Sequence, residues 1–258
     1  MKKYISDFKV IENKKLNSQN TILVLQSEDK LPDIKAGQFV EVLVENSPNT
    51  FLRRPFSIHN VNFIDNTLSL FIKIAGTGSQ KLANILKGDT LNLIYPLGNG
   101  FSIPKEGIAL LIGGGCGIAP LLYLSKFLME NNIEPYIILG GRSKDDIFEV
   151  HEYSKYGTVL VTTDDGSLGE KGFVTKHSIL DDPEIKFDKI YTCGPEIMMK
   201  AVAKMARSKG IDCEVSLENT MACGIGACLC CVTETIDGNK CVCTEGPVFN
   251  INDLKWQI

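Results

Sequence analysis

The spacing of apolar residues changes character about two fifths of the way along this chain. Up to residue 103 they come in short alternating or continuous runs: TILVLQSE (21–28), GQFVEVLVE (37–45), RRPFSIHNV (53–61), TLSLFIKI (67–74) and TLNLIYPLG (90–98). Polar or glycine-containing turns separate them, and regularly spaced short strands of this kind predict an antiparallel barrel. One helix, from about Ser79 to Leu86, interrupts the series. From residue 104 the pattern becomes an alternation of strand and helix. GIALLIGGG (107–115), PYIILGGR (135–142), TVLVTTDD (158–165), KIYTCGP (189–195) and DCEVSLE (212–218) read as strands. IAPLLYLSKFLMENN (118–132), DDIFEVHEYSKY (145–156) and EIMMKAVAKMARSKG (196–210) read as helices. Such alternation predicts a parallel sheet covered by helices. A third section, rich in cysteine, runs from Glu218 to the C-terminus. The expected organisation is a barrel over 1–103, an α/β domain over 104–217 and a small domain over 218–258.

Composition narrows the function classes. With 258 residues, 44% hydrophobic and 22% charged, the chain reads as an ordinary soluble globular protein. A net charge of -4 without a basic run argues against a nucleic-acid partner. No apolar stretch approaches the ~20 residues that cross a bilayer, so no membrane association is expected. The opening MKKYISDFKVIENKK is polar throughout and has no apolar leader core. Nine cysteines in such a chain suit a reducing cytoplasm, where thiolates bind metal.

The cysteines carry the sharpest signal. Cys223, Cys228 and Cys231 stand in the spacing C-x4-C-x2-C, the plant-type pattern for a [2Fe-2S] cluster. Gly224, Gly226 and Ala227 leave room for the chain to wrap closely enough to aim backbone N–H groups at sulfur. Zinc knuckles usually pair two C-x2-C units, and only one is present here. VTETIDGNKCVC reads as a hairpin turning at Asp237-Gly238-Asn239 that carries Cys241 and Cys243 back toward the first three. Both fall on one face of its second strand, so alternation leaves either as the fourth ligand. Cys213 and Cys230, outside the pattern, are expected to be buried as small hydrophobes. His59, His151 and His177 belong to no catalytic pattern and read as surface or structural residues.

Two further motifs suggest nucleotides. Gly113-Gly114-Gly115-Cys116-Gly117 ends an apolar strand and opens a helix whose first turn holds Pro120. The free N–H groups there suit a pyrophosphate, although a tight turn explains the glycines equally well. This is not the dinucleotide fingerprint G-x-G-x-x-G, and PYIILGGR ends in Arg142, not an acid. In the barrel, Arg53-Arg54-Pro55-Phe56-Ser57 reads either as a solvated basic surface or as a guanidinium, a ring and a hydroxyl arranged for a flavin. Gly76-Thr77-Gly78-Ser79 opens the barrel helix as a second phosphate cradle.

Taken in order, AGQF, LRRPFSI, PLGNGF, GGGCGIAP, TCGPE, MACGIGAC and VCTEGPVF resemble the electron-transfer subunits of NAD-dependent dihydroorotate dehydrogenases, within the ferredoxin–NADP reductase superfamily. The resemblance spans nearly the whole chain. It implies cluster ligation by Cys223, Cys228, Cys231 and Cys243, the last because it precedes x-x-Gly-Pro. It implies FAD binding by Arg54, Pro55, Phe56, Ser57, Phe71, Ile72, Lys73, Gly78 and Ser79. It further implies NAD binding by Gly113, Gly114, Gly115 and Gly117, with Cys193, Gly194 and Pro195 beside the nicotinamide. Phe56 stands where relatives often carry tyrosine.

The implied activity is that of an oxidoreductase subunit in pyrimidine biosynthesis. Electrons from the FMN of a separate dihydroorotate dehydrogenase catalytic subunit pass through [2Fe-2S] and FAD to NAD+, in a heterotetramer of two copies of each subunit. Nicotinamide exchanges electron pairs and the cluster single electrons, so a flavin between them is required. No acid–base residue needs assignment. The absence of an arginine cluster placed for a 2′-phosphate favours NAD over NADP. The alternative is a flavin and iron–sulfur subunit serving ferredoxin, hydrogenase or sulfite reductase; a redox-sensing protein with a structural cluster is more remote.

Overall fold

The computed structural model describes residues 2–256 and divides them into two compact units. One comprises the chain up to Gly100 together with Glu218–Thr233 and Asn239–Pro247. The other comprises Phe101–Leu217 together with Glu234–Gly238 and the stretch from Val248 onward. The cysteine-bearing segments therefore belong with the first hundred residues.

The first unit contains a closed antiparallel barrel. Its strands are β1 (Tyr4–Lys15), β2 (Asn20–Ser27), β3 (Phe39–Val42), β4 (Arg54–Asn62), β5 (Thr67–Lys73) and β6 (Thr90–Leu97), with helix α1 (Thr77–Ala83) between the last two. Around the barrel they run β1-β2-β5-β4-β3-β6. Strand β1 is absent from the sequence reading because its charged residues mask the alternation. Phe8 and Val10 point inward while Asp7 and Lys9 point out, and β1 pairs with both β2 and β6 to close the barrel. Closure removes the unpaired edges that an open sheet would expose. Phe8 meets Tyr95 edge to face at 4.9 Å, in a core with Leu23, Leu25, Ile58, Leu70 and Leu93.

In the second unit the strands are β7 (Ile108–Gly114), β8 (Glu134–Gly141), β9 (Thr158–Thr163), β10 (Glu170–Lys171), β11 (Lys189–Cys193) and β12 (Asp212–Ser216). Helices α2 (Ala119–Glu130), α3 (Val150–Tyr153) and α4 (Glu196–Lys209) connect them. Ala109 to Ile112 are fully buried, as expected of a parallel strand covered on both faces. The helix expected over 145–156 shrinks to a 3-10 turn at Lys144–Asp146 and the single turn α3. Glu149 adopts a left-handed φ of 55° immediately before α3, which a continuous helix forbids. Helix α4 stops at Gly210, whose φ of 65° is the usual left-handed end.

Beyond β12 come β13 (Val232–Thr235), β14 (Gly238–Cys241), the single turn α5 (Val242–Glu245) and β15 (Val248–Asn250). Strands β13 and β14 form the expected hairpin, with Gly238 at φ 103° where the second strand begins. Cys243, however, is not on that strand. Glu245 Oε2 accepts the Cys241 N–H at 2.7 Å, ending β14 and coiling the chain into α5, so Cys241 and Cys243 do not share a strand face. Strand β15, also missed because it is only three residues long, adds antiparallel to β12. The sheet order is β10-β9-β8-β7-β11-β12-β15, so successive parallel strands step outward in opposite directions from the β7 and β11 pair. Crevices at the carboxyl ends of strands flanking such a reversal are where ligands enter open α/β sheets.

The second unit buries one ionic network. Lys189 Nζ lies 3.1 Å from Glu214 Oε1 and 2.9 Å from Asp212 Oδ2, and Ser102 Oγ donates to Glu214 at 2.5 Å. The Lys189 and Glu214 side chains are only 9% and 10% exposed, so neither charge tolerates loss of the other. Lys189→Met is expected to destabilise the chain by ~3–5 kcal/mol, read by thermal unfolding. The double variant with Glu214→Gln is expected to recover most of that loss; equal destabilisation by the single and double variants contradicts this account.

Candidate redox-cofactor sites

The cysteine loop is shaped by backbone donors aimed at sulfur. Cys223 Sγ accepts the N–H groups of Ile225 at 3.5 Å and Ala227 at 3.3 Å; Cys228 Sγ accepts that of Cys230 at 3.5 Å. Cys231 Sγ accepts the Cys243 N–H at 3.3 Å, and the Gly226 N–H is directed at Cys243. Such geometry needs left-handed turns, supplied by Gly224 at φ 66° and Gly226 at φ 87°, and by Leu229 at φ 59° without a glycine's freedom.

The thiols fall into two pairs, in each of which one thiol is shifted by its neighbour: Cys223 by Cys228 and Cys243 by Cys231. Among the described residues no three His, Cys, Asp or Glu side chains converge as a single metal ion requires. Two pairs fit a binuclear cluster, in which four thiolates are shared between two irons. Burial acts to raise the Cys223 thiol, but the N–H groups of Ile225, Cys228 and Ala227 and the Cys228 side chain outweigh it and bring it to about 6. The fully buried Cys243 is pushed up to about 12 by desolvation and by its bond with Cys231. Cys241 is half-buried and Cys230 is exposed, against the expectation of burial for Cys230; the loop turns its side chain outward. Cys213 is buried as expected, and desolvation raises it to about 12.

In the barrel, Arg54, Pro55, Phe56 and Ser57 open β4 and are all half-buried, paired across β3 with Val42, Glu41, Val40 and Phe39. A Cβ on Gly78 would reach Arg54 Nε at 3.2 Å, so the guanidinium lies over the first turn of α1. A cation beside free helix N–H groups suits a pyrophosphate. The Ser79 hydroxyl has a different task. It accepts from the Ala75 and Gly76 N–H groups at 2.8 and 3.1 Å, and so caps the helix. Phe71 and Ile72 are buried in the barrel and Lys73 is exposed; Phe71 packs edge to face on the buried His59 at 6.2 Å. His177 is also buried, 3.4 Å from Glu170, and His151 is exposed.

At the head of the parallel sheet the four candidate glycines divide by role. A Cβ on Gly117 would come within 2.3 Å of Gly194 Cα, one on Gly114 within 2.6 Å of Met198 Sδ, and one on Gly113 within 2.9 Å of Ile118 Cγ2. Gly114 and Gly117 permit close packing of the β7 and β11 loops, and Gly113 makes room for Ile118 and Leu121 of the following turn and helix. Gly115, at φ 56°, has nothing within 4 Å of its Cβ position and alone presents open backbone to a ligand. Cys193 is buried and Gly194, at φ 153°, lies against Gly114. Tyr153 supports the turn from below, donating to Ile118 O at 2.6 Å. No local pattern signals that role, since a tyrosine in a stretch that reads as an amphipathic helix reads as ordinary core. Glu41 escaped notice for a related reason: alternation in GQFVEVLVE assigns it to the outer face, yet it is fully buried.

Comparison with known proteins agrees with this geometry. Residues 218–255 match the iron-sulfur cluster binding domain of dihydroorotate dehydrogenase B, and residues 111–204 an oxidoreductase NAD-binding domain. A curated protein of Clostridium perfringens, "Dihydroorotate dehydrogenase B (NAD(+)), electron transfer subunit", is 42% identical over 244 residues, 94% of each chain. Its namesake from Fusobacterium nucleatum is 41% identical over 85% of this chain and 86% of its own. Among solved structures, one of an NADH-dependent reduced ferredoxin-NADP oxidoreductase superposes with a TM-score of 0.87 at 31% identity, covering 96% of this chain and 90% of that one. The ferredoxin reductase of carbazole 1,9a-dioxygenase shares the fold at a TM-score of 0.69 and 21% identity. The chain belongs to the family of dihydroorotate dehydrogenase B (NAD(+)) electron transfer subunits.

Proposed function

We propose that this chain carries electrons from dihydroorotate, oxidised to orotate at the FMN of a separate catalytic subunit, to NAD+. The observation that carries this reading is the pair of thiol pairs, each supplied with backbone N–H donors. Cys223, Cys228, Cys231 and Cys243 hold a [2Fe-2S] cluster; Arg54, Pro55, Phe56, Ser57, Phe71 to Lys73, Gly78 and Ser79 hold FAD; Gly113 to Gly117 and Cys193 to Pro195 hold NAD. When bound, the flavin supplies exchange between the electron pairs of nicotinamide and the single electrons of iron–sulfur. Residues 1–103 serve the FAD, 104–217 the NAD and 218–258 the cluster.

The residues position and tune. Arg54 and the first turn of α1 neutralise pyrophosphate, Phe56 and Ser57 orient the ring system, and Phe71 and Ile72 act through backbone because their side chains fill the barrel. Gly115 admits the nicotinamide dinucleotide to the turn. At the end of β8, Arg142 Nε is already paired with Asp146 at 2.9 Å, which leaves that guanidinium committed and suits the 2′-hydroxyl of NAD better than a 2′-phosphate.

The catalytic subunit docks over the cluster loop, where Cys228, Ile225 and Leu229 are exposed. Two copies of each subunit assemble, in the cytoplasm. No helix among the described residues is long and apolar enough to cross a membrane. A second reading, a reductase subunit exchanging electrons with ferredoxin, is favoured by the 31% identity to the ferredoxin-NADP oxidoreductase structure; the partner that drives turnover separates the two.

Cys243→Ser is expected to abolish the visible and EPR spectrum of the cluster while Cys241→Ser keeps it, and the reverse result contradicts the ligand assignment. With the cluster lost, NADH-driven reduction of an artificial dye is expected to persist and partner-driven turnover to fall at least 100-fold, roughly the loss of a required electron carrier. Gly117→Ala is expected to weaken NADH binding about tenfold or more by forcing the two loops apart, with flavin and cluster spectra unchanged. Unaltered NADH affinity in that variant removes the loops from the NAD site.

A further inference from the structure

Strand β3 carries a carboxyl group that no role so far described uses. Glu41 is fully buried, and neither of its carboxylate oxygens meets a hydrogen-bond partner among the described residues. An unpartnered carboxyl in a protein interior costs stability. Its surroundings are the two redox segments of the first unit. Across the strand pair it faces Pro55, inside the flavin segment. Its side chain presses on the cluster loop, where a Cβ on Gly224 would come within 2.5 Å of Glu41 Cγ and 2.9 Å of Oε1. Gly224 follows Cys223 directly, and its left-handed φ of 66° brings the loop down onto the carboxyl.

The neighbouring cations do not pair with it. Arg53 donates to Asn92 Oδ1 at 2.6 Å, to Asn92 O at 3.0 Å and to the backbone carbonyl of Glu41 at 3.3 Å. Arg54 donates to the carbonyls of Leu52 and Arg53. Both guanidiniums act on the carboxyl through space, and so does Cys223 with the opposite sign. We propose that Glu41 is a positioning residue for electron transfer, a buried carboxylate without a hydrogen-bond partner, set under the cluster loop, that lowers the reduction potential of the [2Fe-2S] centre and so favours onward passage of its electron toward the flavin. This rests on the reading of the four cysteines as cluster ligands.

The physical argument is the weakness of screening. A charge sealed in protein acts at an effective dielectric far below that of water, so a carboxylate against a cluster loop makes each added electron less welcome. Burial pushes the Glu41 carboxyl up to about 7, against the opposing pull of Arg53, and alkaline buffer favours its charged form. A purely structural glutamate would instead be expected to find donors, and its removal would cost stability.

The test is potentiometric titration of the holo-protein at about pH 9, with the cluster followed by EPR and the flavin by visible absorbance, in the wild type and in Glu41→Gln and Glu41→Met. Removing the charge is expected to shift the one-electron equilibrium of the cluster at least tenfold toward reduction, a rise of ~59 mV, with a smaller shift at the flavin. Both variants are expected to melt at or above the wild-type temperature, since an unpartnered carboxyl is removed. An unchanged or lowered cluster potential in both variants, or loss of the cluster from both, overturns the role of Glu41. A wild-type protein without a [2Fe-2S] spectrum overturns the cysteine reading and this inference with it.

Discussion

Asn99, at the rim of the barrel, fastens the cysteine-bearing segment to it. Its backbone N–H donates to Gly246 O at 2.5 Å and its side-chain amide to Glu245 O at 2.9 Å. Beside it Gly98, at φ 72°, leaves no space for a side chain: a Cβ there would lie 2.5 Å from Pro247 Cδ and 2.9 Å from Phe39 Cε1. Gln38 Nε2 donates to Gly98 O at 2.8 Å and so fixes the rim from inside. The cysteine loops bury few apolar residues of their own, so this seam supplies the framework that a small independent core cannot. Cys243 arrives buried only because the chain is held three residues further on.

That seam explains why the cluster segment groups with the barrel. One-electron transfer between cluster and flavin asks for rigid spacing, and hydrogen bonds between backbone atoms give it at little entropic cost. The same logic recurs at the head of the parallel sheet, where Gly117 against Gly194 locks two loops at backbone distance and leaves Gly115 open. In both places glycine works by what it lets approach.

Much of this was legible in the chain, because the relevant signals are local. The C-x4-C-x2-C spacing, the alternating runs of β2 to β6 and the strand and helix succession of β7 to α4 each follow from short-range geometry. What stayed hidden depends on contacts distant in sequence. Strand β1 is charged on its outer face and reads as polar until β2 and β6 flank it. Cys243 leaves its strand because Glu245 turns back on Cys241, a four-residue capping contact that alternation does not encode. The helix over 145–156 is broken by a left-handed Glu149 that no glycine announces. The division of labour among Gly114, Gly115 and Gly117 is set by Met198 and Gly194, some eighty residues away, and Glu41 gains its surroundings from Gly224, far along the chain.

The most direct measurement of the central claim is dihydroorotate-dependent reduction of NAD+ by this chain co-purified with its FMN-bearing catalytic subunit, beside the catalytic subunit alone. Turnover to NADH by the complex and none by the catalytic subunit alone is the predicted result. A complex that holds flavin and cluster, bleaches with NADH, yet passes no electrons from dihydroorotate would contradict the account and assign the chain to a different electron donor.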